Sequence, residues 1–152
     1  MTWPGVQKFA PAGRCDGMPA AAQPKPEAKR NQYLLAMARN QACLLKVPSV
    51  CNRDWSTTVA AHSNLLCHGK AKGRKADDQY HVHACAACHA WLDQGPAPAA
   101  EKESAFMRAH RWMVEIWRGI VAGFDPATPK EKAAALWALE QLNATPTVGI
   151  TE

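Results

Sequence analysis

Apolar positions recur at three- and four-residue steps in the C-terminal third of the chain. Phe106, His110, Met113, Trp117 and Ile120 form one such stripe, which predicts an amphipathic helix in need of a covering surface. A second helix is predicted from its start. Thr128-Pro129-Lys130-Glu131 supplies an N-cap threonine, a proline at the first position and a capping-box glutamate, and Leu136, Leu139 and Leu142 follow. Upstream, Tyr33, Leu34 and Met37 or Ala38 share one side of a short helix predicted over residues 29–40. Ala42 to Val47 reads as a strand, Pro48-Ser49-Val50 as a turn, and Thr57 to His62 as a second strand. Residues 69–78 read as a flexible loop, Tyr80 to Ala84 as a short strand or extended segment, and residues 86–93 as a helix ended by Gly95-Pro96.

This order predicts an α+β fold with four parts. Residues 1–28, with Pro4, Pro11, Pro19, Pro24 and Pro26 among many alanines, read as a flexible arm. Residues 29–95 form the site-bearing domain, 100–143 the two helices that pack on it or on a partner subunit, and 144–152 a tail. A segment as short as 29–95 has a large surface for its volume and often needs a metal staple.

Composition adds three constraints. The net charge of +5 and the pI near 9.0 favour a polyanionic partner, chiefly nucleic acid, although solubility alone explains a charge this modest about as well. No stretch approaches the roughly 20 apolar residues of a membrane span. Lys8 and Arg14 near the start have no apolar export-signal core before them, so the expected location is the cytoplasm of a bacterial host. Disulfides are then not expected, and clustered cysteines read as metal ligands.

Of the six cysteines, four fall into two pairs, Cys43-x7-Cys51 and Cys85-x2-Cys88. Tetrahedral zinc takes four thiolates from two such pairs, and the second pair sits at a helix start where both sulfurs point one way. Such a site would tie strand to helix and turn metal affinity into folding energy. Cys85-Ala-Ala-Cys88-His89 also matches a c-type haem attachment pattern, but that reading leaves Cys43 and Cys51 unexplained. Cys15 and Cys67 stand outside both pairs and read as free thiols.

His89 and Asp93 lie four residues apart on the predicted helix and so share a face suited to a divalent ion, with magnesium or manganese as the expected catalytic metal and zinc as an alternative. His68 and Asp78 are further candidate ligands of that ion. His62 ends the predicted second strand, where a neutral imidazole could take a proton from an attacking water. Lys70, Lys72, Arg74 and Lys75 would grip a phosphate backbone. His81 and His83 alternate and so share a face, Trp91 reads as a core anchor, and His110 reads as core.

The ordered set His62-Ser63-Asn64, His68-Gly69-Lys70, Lys75-x2-Asp78, Cys85-x2-Cys88-His89 and Leu92-Asp93 resembles the YbcO-like family of small phage and prophage nucleases. The likeness runs from about Arg30 to Gly95, with a weaker echo after Ser104. It implies kinship with HNH, or ββα-metal, endonucleases and a zinc at Cys43, Cys51, Cys85 and Cys88. It also implies a nuclease-type histidine at His62, and marks His68, Lys75 and Asp78 as pattern residues. Two departures stand out from the broader HNH pattern. Ala61 occupies the place of a metal-binding residue before the histidine, and Tyr80 and His81 stand where an asparagine is expected.

Two functions follow as expectations. One is a metal-dependent endonuclease acting on DNA, with His62 as general base. The other is a zinc-stabilised module that binds DNA or protein without catalysis. A homo-oligomer through the 104–121 helix is a further expectation.

Overall fold

The computed structural model describes residues 27–144, so nearly all of the expected arm and tail lie outside the described residues. The fold is α+β. In chain order it comprises α1 (Gln32–Ala36), β1 (Val59–His62), β2 (His81–Ala84), α2 (Ala86–Gln94), α3 (Ala99–Ala122) and α4 (Pro129–Gln141).

β1 and β2 pair antiparallel, with His62 opposite His81 and Ala60 opposite His83. Directly opposed residues share a face, so Ala60, His62, His81 and His83 line one side of the hairpin. Trp117 of α3 meets that side, its ring centroid 5.6 Å from that of His81. Ala61 and Val82 occupy the other side and are both fully buried.

The expected strand at Ala42–Val47 does not form, which corrects the hairpin read from the sequence. Lys46 takes a left-handed φ of 43°, which breaks the extended run. The segment keeps one ladder-like bond, Leu44 N–H to the His83 carbonyl at 2.8 Å, and buries Cys43, Leu45 and Val47. β1 pairs instead with His81–Ala84, and Trp55–Thr57 form a 3-10 turn ahead of it. The first helix is also shorter than expected. Asn31 caps it by accepting from Leu34 N–H at 3.1 Å, and the chain leaves through a turn with Asn40 at φ 59°.

α3 begins at Ala99, one residue ahead of the segment expected to hold the two helices, and buries the whole stripe of Phe106, His110, Met113, Trp117 and Ile120. The cover comes from β2 and α4 of the same chain. α4 starts as expected: Glu131 N–H donates to Thr128 Oγ1 at 3.2 Å, and Thr128 N–H donates to Glu131 Oε2 at 2.7 Å. Its inner face is mostly alanine. Ala134, Ala135, Ala138 and Leu139 point inward, whereas Leu136 is 38% exposed. Small alanines let α4 approach α3 closely, which favours that rotation.

Several imidazoles sit in this core uncharged. His81 Nδ1–H donates to the Asp78 carbonyl at 2.6 Å, and His110 Nε2–H donates to the Gln79 carbonyl at 2.8 Å. His68 stacks on Tyr80 at 3.8 Å. Burial pushes His68 and His110 down to about 4 and His81 to about 3, with repulsion from neighbouring imidazoles adding to the effect at His68 and His81. Each therefore binds its proton more readily when the chain unfolds. Stability should be fully present above the ordinary histidine value of 6.5 and be lost as pH falls towards 4. Thermal midpoints measured from pH 7.5 to 4.0 should hold level at first and then drop; a flat profile across that range would refute the assignment.

Candidate functional site

The four paired cysteines converge. Cys85 caps α2 and Cys88 lies one turn in, while Cys43 and Cys51 arrive from the loop before β1. Their sulfurs all lie within 4.8 Å of one another, and Cys85 Sγ is 3.9 Å from Cys51 Sγ. A tetrahedron with Zn–S bonds near 2.3 Å has sulfurs about 3.8 Å apart, so the cluster fits zinc with little adjustment. The four thiols are free of disulfides.

Their acidities point the same way. Burial, reinforced by Cys43, raises Cys51 and Cys88. Burial also opposes ionisation of Cys85, but amide hydrogen bonds from Cys88 and Asn52 outweigh it and bring this thiol down to about 7. One sulfur thus takes negative charge easily while its neighbours resist, the condition a cation relieves. These cysteines could hold a metal such as zinc. The haem pattern loses its appeal, because Cys85 and Cys88 are fully buried beside the other pair. Cys67 is disulfide-bonded, which corrects the expectation of a free thiol there; Cys15 lies outside the described residues.

His62 is the last residue of β1. Its Nε2 lies 2.9 Å from Asp78 Oδ1. An ionised carboxylate only accepts, so Nε2 carries a proton, which in a neutral imidazole leaves the lone pair on Nδ1. Asp78 is 2% exposed and accepts two further bonds, from Arg30 Nη1 at 3.1 Å and from Asn31 N–H at 2.6 Å. Burial alone would raise its pKa. The bonds from His62, the Asn31 amide and Arg30 outweigh burial and hold the carboxyl below its ordinary range. Arg30 also donates to the carbonyls of Ala76 at 2.6 Å and Lys75 at 3.1 Å, pinning the loop that carries Asp78. His62 lines a cleft of about 350 Å³ whose walls include Gln32 and Arg39 from the α1 side and Lys75 from the loop.

The other candidates fall elsewhere. His89 Nε2 lies 3.1 Å from Asp93 Oδ2, and Asn64 Nδ2 donates to Asp93 Oδ1 at 3.0 Å. His62 is thus joined to Asp78 and His89 to Asp93; no described contact joins the two pairs. Among the described residues, the cysteine cluster is the one set of three or more metal-type ligands drawn together. His68 is buried, its Nδ1 2.7 Å from Ser63 Oγ. In the basic loop Lys72 and Lys75 are exposed, Lys70 is half-buried and Arg74 pairs with Asp77 at 3.5 Å. His81 and His83 are buried, as is His110, and Trp91 is half-buried against the core.

Nothing in the sequence marks Arg30 or Arg39 as site residues, and Asn64 stands out only as part of the His62-Ser63-Asn64 stretch, with no partner indicated. Arg30 meets Asp78 across 48 residues and Asn64 meets Asp93 across 29, distances over which no local pattern reports.

Fold and site together define a small α+β domain with a four-cysteine cluster that could hold a metal and an Asp-bonded histidine on a cleft with basic walls. The chain belongs to the YbcO family: the family model described as "Putative nuclease YbcO" matches residues 32–118, more than half of its length. It is similar, at 39% identity over 59 residues, to "Putative nuclease YbcO" of Escherichia coli (strain K12) and, equally, to "Putative nuclease ybcO" of Enterobacteria phage 82. Each match covers 38% of this chain and 58% of the relative, so the chain spans less than two thirds of those relatives. A solved structure, "Structure of a putative bacteriophage protein from Escherichia coli str. K-12 substr. MG1655", matches 53% of this chain and 90% of its own at 25% identity, with a TM-score of 0.43. No helix among the described residues is long and apolar enough to cross a membrane.

Proposed function

We propose that the protein is an HNH-like, metal-dependent endonuclease of phage origin that hydrolyses DNA phosphodiester bonds, with His62 as general base. The observation that carries this reading is the His62–Asp78 pair opening on a cleft walled by Arg39 and Lys75. The element order supports it: β1 ends in the histidine, a long loop of residues 63–80 follows, then β2 and at once α2. That order is the one a ββα unit would have, with the cysteine cluster at the hairpin–helix junction. The relatives from a bacterium and a phage, each named "Putative nuclease", agree with this reading.

In this reading the neutral His62 ring takes a proton from water at Nδ1 while Nε2–H stays bonded to Asp78. Asp78 fixes the tautomer and steadies the imidazolium that forms, much as a buried aspartate does in hydrolytic triads. Because Asp78 is engaged by three donors, it serves here as a positioning residue rather than a metal ligand. Arg39 and Lys75 hold the phosphate flanking the attack, and Lys70, Lys72 and Arg74 extend the contact along the backbone by charge. His89 and Asp93 are the pair that would hold magnesium or manganese. Asn64, two residues beyond His62, bonds Asp93, so such an ion would approach the phosphate from that side and stabilise charge building on its oxygens.

The test is a cleavage assay on linear, supercoiled and branched DNA with magnesium, manganese, zinc or chelator. Metal-dependent nicking supports the proposal. Binding without cutting under every metal would leave the alternative, a zinc-stabilised binding module.

A further inference from the structure

A second cleft lies away from His62, beside the cysteine centre. It measures about 460 Å³, and its lining includes Cys43, Cys51, Lys46, Pro48, Arg53 and Trp55. No carboxylate lines it. Trp55 is 58% exposed, a large apolar surface left in water. The indole is nevertheless held on a braced turn. Asp54 Oδ1 accepts from Ser56 N–H at 3.0 Å and from Ser56 Oγ at 2.6 Å. Thr57 Oγ1 donates to the Asp54 carbonyl at 2.8 Å and accepts from Ala86 N–H at 3.1 Å, which ties the turn to the start of α2. Lys46 and Arg53 are exposed and belong to no ion pair among the described residues. Both take left-handed backbone, at φ 43° and 57°, a conformation that residues other than glycine adopt rarely.

A rigid, exposed aromatic face flanked by two unpaired cations is what an unpaired nucleotide requires. The base stacks on the ring, and the phosphates on either side meet the cations. We infer that Trp55, Lys46 and Arg53 form a subsite for an unpaired nucleotide of a single-stranded DNA segment. The inference rests on the nuclease reading for its choice of partner and deepens it: the substrate would carry a single-stranded tail or flap. Trp55 leads into β1 and His62 ends it, and β1 is only about 10 Å long.

The experiment measures binding, by fluorescence anisotropy, of the zinc-loaded full chain carrying His62→Ala. The probes are a blunt duplex and the same duplex with a single-stranded tail. Because no cleavage is read, the result stands whether or not the nuclease reading survives. Adding Trp55→Ala should weaken binding of tailed DNA about tenfold and leave blunt DNA unchanged, whereas Trp55→Phe should retain most of the affinity. Lys46→Ala and Arg53→Ala should each reduce the salt slope on tailed DNA by about one. Equal affinity for tailed DNA with and without Trp55 would overturn the inference, as would an equal loss on both probes. Loss of zinc from Lys46→Ala or Arg53→Ala with unchanged DNA binding would assign the cations to neutralising the thiolates instead. Concentration-dependent dimerisation abolished by Trp55→Ala would give the patch to a second copy and also overturn it.

Discussion

Replacing His62 with alanine should slow DNA cleavage by orders of magnitude while leaving the cysteine cluster and the fold in place. General-base catalysis contributes about 10²–10⁴-fold, so the turnover rate at saturating DNA should fall by that order. Affinity for DNA should change little, because Arg39, Lys75 and the basic loop are untouched. The structural cost is small for a physical reason. Asp78 loses one of three donors but keeps Arg30 and the Asn31 amide, so the carboxylate is not left bare. The lost bond should cost about 1–3 kcal/mol, visible as a modest fall in thermal midpoint. Rates of plasmid nicking, zinc content and midpoints, measured on the same preparations, separate catalysis from folding. Undiminished nicking by His62→Ala would reject His62 as the base.

Removing the metal should have the larger effect on folding. The cysteine cluster joins the loop before β1 to the start of α2. Structural zinc in small domains binds with roughly 10–16 kcal/mol, which matches or exceeds the roughly 5–15 kcal/mol stability of a whole domain. Metal analysis should find about one zinc per chain. Replacing Cys85 and Cys88 together with serine, or stripping the metal with a chelator, should abolish cooperative unfolding over residues 32–94. α3 and α4 retain packing of their own and should lose helicity last. A protein without metal that still unfolds cooperatively at an unchanged midpoint would contradict this account.

What the sequence made legible was local. The stripe from Phe106 to Ile120 and the box at Thr128–Glu131 state helix face and helix start within a few residues of chain, and both appear in the structure. α2 was marked at both ends, by Cys85 and by Gly95. What failed depended on partners distant in sequence or on backbone that propensity does not report. Ala42–Val47 has the composition of a strand, yet left-handed Lys46 turns it into a loop that delivers Cys43 to the cluster. The leucines of α4 do not by themselves mark its inner face: Leu139 is buried there, but Leu136 is exposed and alanines fill the rest. His62 could be singled out by its place at a strand end. Its partner could not, because Asp78 reaches it only after the loop of residues 63–80 folds back and Arg30 clamps that loop from the other end of the domain.

The most direct measurement is single-turnover DNA cleavage by Asp78→Asn beside the natural protein, with magnesium and with manganese, at saturating DNA. Asparagine keeps the size of the side chain but can present an amide N–H where the carboxylate accepted, which sets the His62 ring in the wrong tautomer or orientation. A fall of about 10²–10⁴-fold in rate at unchanged DNA affinity and zinc content is the predicted result. Equal rates for the two proteins, or no cleavage by the natural protein with either metal, would contradict the account.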